Sequence, residues 1–238
     1  MAKGGSGAVG IGYGLTVAAA GMLATAIYAV FLVAPVEATL GISQKIFYFH
    51  VGSAINMLLS FAVCAMAGLA YLTVGGARPH WAGIADAVGV ATAEVGVTLG
   101  AIVLVTGPLW ARKAWGTWWT WEPRLTLSLM VFLLFLAYLA LRAFAGSDRF
   151  GRGVAAGLSI LGIPAVYFIH FAVERWGGAH PQVVYKGGLS QPGMRLAFGL
   201  SVAAMFLFAA ALAWLRILTE RERRQLDALY LEVDRRSE

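Results

Sequence analysis

Six continuous apolar runs constrain this chain more than any other feature, because each is about as long as a helix needs to cross the roughly 30 Å hydrocarbon core of a bilayer. They fall at roughly 14–34, 51–74, 84–107, 125–145, 154–173 and 197–215. The first follows a glycine-rich leader and ends before Pro35. The second stops at Gly75–Gly76. The third carries Asp86 and Glu94. The fourth, Leu125 to Phe144, is Leu, Phe, Met and Val almost throughout. The fifth contains Pro164, and the sixth meets a strongly charged tail. Pro164 predicts a kink whose freed carbonyl is satisfied by neighbouring helices. Continuous runs exclude a transmembrane barrel, whose strands appear as alternating segments of about ten residues. With 60% hydrophobic and only 13% charged residues, against about 25% charged in an ordinary soluble domain, the chain has too little polar surface to cover a globule in water. The expectation is an all-α integral membrane protein. Residues 1–215 form one bundle of six transmembrane helices, and 216–238 form a charged amphipathic tail. The first run, about 20 residues long, exceeds the 7–15 apolar residues of a signal peptide core, so it is expected to be retained.

Orientation follows from Lys and Arg. An even number of spans puts both termini on one side. That side holds Lys3, Arg78, Arg142, Arg149, Arg152 and six arginines after residue 215, eleven in all, against seven on the other: Lys45, Arg112, Lys113, Arg124, Arg175, Lys186 and Arg195. The positive-inside rule then predicts cytoplasmic termini. The margin rests on the tail arginines.

Alternation of the spans also sorts the loops, whichever way the bundle faces. His50 at the start of the second span, the 108–124 segment, and His170 and His180 at and after the end of the fifth all fall on one face. His80 alone falls on the other. The 108–124 segment holds five of the eight tryptophans: Trp110, Trp115, Trp118, Trp119 and Trp121. If it forms a short interfacial helix, Trp115, Trp118 and Trp119 share a face by their i, i+3, i+4 spacing. Two interpretations stand. One is an aromatic belt at the headgroup level. The other is a platform for a flat aromatic ligand, to which indole faces offer area at small entropic cost. A belt needs one or two Trp per helix end, so five in one loop favour the platform. A neutral imidazole is a common iron ligand, and two from separate loops can close on opposite faces of a planar macrocycle. The plainer account of a lone histidine at a helix end is an interfacial polar residue with a satisfied N–H.

The run Trp115-Gly-Thr-Trp118-Trp119-Thr-Trp121-Glu122-Pro-Arg124-Leu-Thr126 resembles the tryptophan-rich signature of the haem-handling proteins of cytochrome c biogenesis. The resemblance is closest to the haem exporter protein C (cytochrome c maturation protein C) family. Gln44-Lys-Ile-Phe-Tyr-Phe-His50-Val resembles that family's first external histidine segment, and His170-Phe-Ala-Val-Glu174-Arg-Trp176 followed by His180 its second. The match runs from about residue 40 to about 195. One departure is Glu122, where the family usually has Asp; the charge is kept and the reach is longer. The resemblance implies haem b, held non-covalently at the external face of a bacterial inner membrane. His50 and His180 would be its axial iron ligands, and the loop with Trp110, Trp115, Trp118, Trp119, Trp121 and Glu122 the platform between them. Arg112, Lys113, Arg124, Arg175 and Arg195 are then candidate partners for the haem propionates, with Arg124 preferred. Snorkelling to headgroups is the plain alternative for each cation, and an internal pair with Glu122 is the alternative for Arg124.

The resemblance also implies partners: a membrane-anchored haem chaperone, an ATP-binding cassette ATPase, a second membrane subunit and a small single-span subunit. No G-x-x-x-x-G-K-[ST] occurs, so ATP-driven work would come from a partner. The chain is expected to present haem without itself being an enzyme. A haem lyase acting on apocytochrome c and a small-molecule transporter are the competing functions. The only cysteine is Cys64, and C-x-x-C-H is absent, so the chain is not itself a covalent c-type cytochrome. Glu94, Asp86 and Asn56 are the polar groups within the spans, and intramembrane carboxylates are functional candidates. Leu226, Leu229, Tyr230 and Val233 in the tail predict an amphipathic helix that lies on lipid or docks a partner. No nucleic-acid motif is present.

Overall fold

Backbone N–H and C=O groups in lipid have no water to bond, so an apolar run must satisfy them within its own segment as helix. The computed structural model describes residues 3–75, 77–144, 149–181, 183–184 and 187–237. It contains α1 (Lys3–Tyr28), closing in a π-helical turn Ala29–Val33, then a 3₁₀ turn Ile42–Lys45 that leads into α2 (Ile46–Val74). These are followed by α3 (Pro79–Trp115), α4 (Pro123–Phe144), α5 (Arg149–Ile160), α6 (Gly162–Trp176) and α7 (Pro192–Ser237). Six helical stretches are long and apolar enough to cross a membrane: Gly7–Val33, Ile42–Val74, Pro79–Trp115, Pro123–Phe144, Arg149–Trp176 and Pro192–Arg223. Among the described residues there is no strand. Lys186 and the side chains of Lys3 and Arg224, used above in the charge count, lie outside the described residues.

The helices depart from the apolar runs in four places. The glycine-rich leader is helical from Lys3. The third helix passes through Pro108 and stops only at Trp115. The fifth span is two helices that break at Leu161. The break is the physical consequence of Pro164, which donates no bond to Ile160 and whose ring crowds that carbonyl. The charged tail is the unbroken continuation of α7. At 46 residues that helix is about 69 Å long, more than a bilayer's thickness.

Helix α2 is the hub, packing on α3, α5, α6 and α7. Phe61 of α2 stacks on Phe135 of α4 with centroids 3.9 Å apart, inside a core with Met57, Leu99, Val131 and Tyr138. At Gly68 a Cβ would lie 2.9 Å from the Ala156 carbonyl oxygen, so the missing side chain lets α2 and α5 meet backbone to backbone, as small residues do in membrane bundles.

Asp86, Glu94 and Asn56, the polar groups singled out within the spans, have partners. Asp86 meets Arg142 at 3.1 Å and Arg152 at 3.9 Å. Glu94 accepts from both Arg216 Nε and Arg216 Nη2, the latter at 3.0 Å, and Glu220 faces the same guanidinium. Asn56 Nδ2 donates to the Gly52 carbonyl at 2.8 Å. Glu94 thus ties α3 to α7. At the opposite end of the bundle, buried Lys45 donates to the carbonyls of Val30 and Ala34, the latter at 2.7 Å. Its ammonium caps the negative end of the first span.

Candidate functional site

The ends of the helices gather the chemistry-bearing residues at the face opposite the chain termini. His50 stands on the second turn of α2, half-buried. Its Nδ1 is 2.9 Å from the hydroxyl of Thr106 on α3. The neighbouring Gly107 comes so near that a Cβ there would lie 3.2 Å from His50 Cε1.

Beyond Thr106, α3 carries Trp110, Arg112, Lys113 and Trp115 as helix residues. Trp110 and Trp115 meet edge to face at 5.4 Å. The chain then leaves the helix at Gly116, whose φ of 75° and ψ of 0° are left-handed, the usual helix stop. Pro123, which begins α4, keeps the preceding residue extended. Residues 116–122 are therefore irregular. This corrects the expectation of a short helix: Trp115, Trp118 and Trp119 do not form one helical face. Trp118 and Trp121 stand open, 55% and 75% exposed, and Trp119 meets Trp121 edge to face at 5.8 Å. Arg112 donates to the Gly116 carbonyl and lies 5.9 Å from the centre of the Trp118 ring, so it braces the loop's start.

Glu122 ends the loop and reaches across to the segment after α6. Its Oε2 accepts the Ala179 N–H at 2.6 Å. At Gly178 φ is 146°, and a Cβ would lie 2.8 Å from that same oxygen. Only glycine suits both the backbone and the gap. The carboxylate is thus a latch on the residue preceding His180.

His180 is half-buried, with Nδ1 3.2 Å from the Pro181 carbonyl oxygen. Burial first, then the positive charge of Arg124 and the nearby His50, press its pKa down from the ordinary value to about 3. Its imidazole is neutral at physiological pH. Arg124, in the first turn of α4, acts electrostatically on both His180 and His50. The structure therefore brings His50, His180, Arg124, Glu122 and the Trp loop to one place. Arg195 stands apart: its guanidinium donates to the carbonyls of Leu189 and Ser190 at 3.1 and 2.9 Å. Lys113 and Arg175 are exposed. His170 is exposed on α6, beside Phe171, and His80 sits beside Trp81 at the start of α3.

Sequence reasoning missed Thr106, Gly178 and the Ala179 amide. The alternation of spans puts the end of α3 beside the start of α2, which signals that some α3 residue faces His50, but only packing selects Thr106.

Residues 10–232 match the family described as Heme exporter protein C. The chain belongs to the Heme exporter protein C family. The Heme exporter protein C of Escherichia coli K12 is 33% identical over 213 residues, covering 85% of this chain and 82% of that protein. That of Paracoccus denitrificans is 32% identical over 203 residues, covering 82% and 80%, and that of Rhodobacter capsulatus 30% over 203 residues, covering 84% and 81%. Both histidine segments, the tryptophan loop and the Glu122 latch lie inside the stretch that matches the Heme exporter protein C family.

Proposed function

We propose that this chain holds haem b, non-covalently, at the outer face of a bacterial inner membrane and presents it to a membrane-anchored haem chaperone for cytochrome c biogenesis. The observation that carries this is the convergence of two histidines from separate segments on Arg124, beside an open tryptophan loop. His180 is neutral, so it offers a lone pair to iron; His50 is the second ligand. His50 and His180 would be the residues that hold the iron. Trp118 and Trp121 give the ring edge indole surface, and Arg124 is placed to hold a propionate. Trp119 Nε1, Thr120 Oγ1 and Thr126 Oγ1 are buried and have no hydrogen-bond partner among the described residues. Buried polar groups ordinarily have one, so these donors suit a ligand with acidic oxygens. Lys113 and Arg175 lie exposed and suit the chaperone's approach or headgroup contact.

Termini in the cytoplasm put this face outside. An ATPase subunit, a second membrane subunit and a small single-span subunit are the proposed companions. A transporter fits less well, because Glu94, Asp86 and Asn56 are each bound to other protein groups. The test is the absorption spectrum of protein purified from haem-replete cells. A bound-haem spectrum that His50→Ala and His180→Ala each disturb is the expected result. Wild-type spectra in both variants would overturn the ligand assignment, and haem-free wild-type protein would overturn the function.

A further inference from the structure

We propose that Thr106 is a positioning residue that fixes the tautomer of His50: the proton sits on Nδ1, and Nε2 is left bare toward the ligand. The argument is a count of protons. The Thr106 hydroxyl lies 2.7 Å from the Ile102 carbonyl oxygen, to which it donates. It also lies 2.9 Å from His50 Nδ1. A hydroxyl has one proton and two lone pairs. With its proton given to Ile102, it can only accept from the imidazole, so Nδ1 carries hydrogen. The opposite tautomer would take the hydroxyl's proton away from Ile102 and place an N–H where a ligand needs a lone pair.

Gly107 completes the seat. A Cβ there would stand 3.2 Å from His50 Cε1, so the Nδ1–Cε1 edge of the ring rests against α3 and Nε2 projects past it. Histidines that bind metals commonly donate their other N–H to such a partner, and loss of that partner costs about ten- to hundredfold in affinity. The seat is on a continuous helix, so the imidazole is oriented before any ligand arrives, which lowers the ordering cost of binding. The nature of what Nε2 binds rests on the proposed haem function. The tautomer does not.

The test begins with the haem-free full chain in detergent, labelled with ¹⁵N-histidine. The His50 signals, assigned through His50→Ala, are expected to show the Nδ1–H form. Thr106→Val, which keeps shape and removes the hydroxyl, is expected to shift them toward the mixture of a free imidazole, and Thr106→Ser to restore them. Wild-type His50 in the Nε2–H form, or a Thr106→Val protein with the wild-type pattern, overturns the proposal. Titration with haem then separates the two ideas. Thr106→Val is expected to bind about tenfold more weakly, with Thr106→Ser near wild type. An altered tautomer with unchanged affinity overturns the positioning role. If His50→Ala leaves the haem spectrum unchanged, haem ligation by His50 fails while the tautomer result stands.

Discussion

The two histidines reach the same place by different mechanical means. His50 rides on a helix at the hub of the bundle, and its ring is seated against Thr106 and Gly107 of a second helix. His180 lies beyond the end of α6, outside any helix, and is tied through its neighbour Ala179 to the carboxylate of Glu122. The first is oriented by two packed helices and needs nothing from the loops. Among the described residues, the second is tied to the tryptophan loop by the Ala179–Glu122 hydrogen bond, which a glycine with no side chain leaves unobstructed. In the haem site proposed above, one fixed jaw and one latched jaw would let a flat ligand enter and leave by movement of the latched side. Local opening is least costly where few buried contacts must break.

Removing the latch should break this asymmetry most. Glu122→Ala deletes the acceptor for the Ala179 amide. A hydrogen bond to a charged group contributes about 1.5–3 kcal/mol, and the exposed setting argues for the lower end, or roughly tenfold weaker haem binding. The His50 tautomer should be unaffected. Equal affinity in wild type and variant, by haem titration, would mean that something else holds the His180 arm.

Gly178→Ala should act in the same direction and less. It forces a side chain into a φ of 146°, a strain of about 1–3 kcal/mol that the loop can partly relieve by shifting. The expected outcome is several-fold weaker haem binding with the melting temperature of the bundle unchanged. A lowered melting temperature would show that the segment is integral to the fold.

Acid should loosen the latched jaw. In the closed loop the His180 pKa is about 3, whereas an open loop would return it to the ordinary value of about 6.5. The open form then binds more protons between these values, so closure is strongest above about pH 6.5 and weakens as the pH falls toward 3. Amide exchange at Ala179 in the haem-free protein, corrected for the intrinsic pH dependence, should rise over that window while amides of α3 stay protected. Equal exchange behaviour in both would remove the contrast.

The smallest effect at the site is expected from the far end of the bundle. Glu94→Gln weakens the pairing with Arg216 that ties α3 to α7. It should lower the melting temperature slightly and leave the haem spectrum as in wild type. A changed spectrum would mean that the two ends are coupled.

Much of this was legible in the chain. The six spans were, because lipid leaves a long apolar run no alternative to helix. The shared face of His50, His180 and the tryptophans was, because alternation across a bilayer is a parity rule. The helix ends were not: Pro108 suggests a stop, yet α3 continues through it, since a membrane bundle tolerates one lost hydrogen bond. As a result Trp110 and Trp115 are helical, while Trp118 and Trp119 lie beyond Gly116 and share no helical stripe with Trp115. Arg112 and Arg195 looked like free cations, and carbonyls occupy both.

The sequence by itself determined that this protein is a membrane bundle with His50, His180 and the five-tryptophan segment on one side, because hydropathy and parity are properties of the chain read in order. Only the tertiary structure decided that Thr106 faces His50, that Glu122 bonds the Ala179 amide, and that Glu94 meets Arg216. Each of these joins residues 56, 57 or 122 positions apart. Hydrogen bonds across such separations depend on where packed helices place their side chains to within an ångström, which no local pattern encodes.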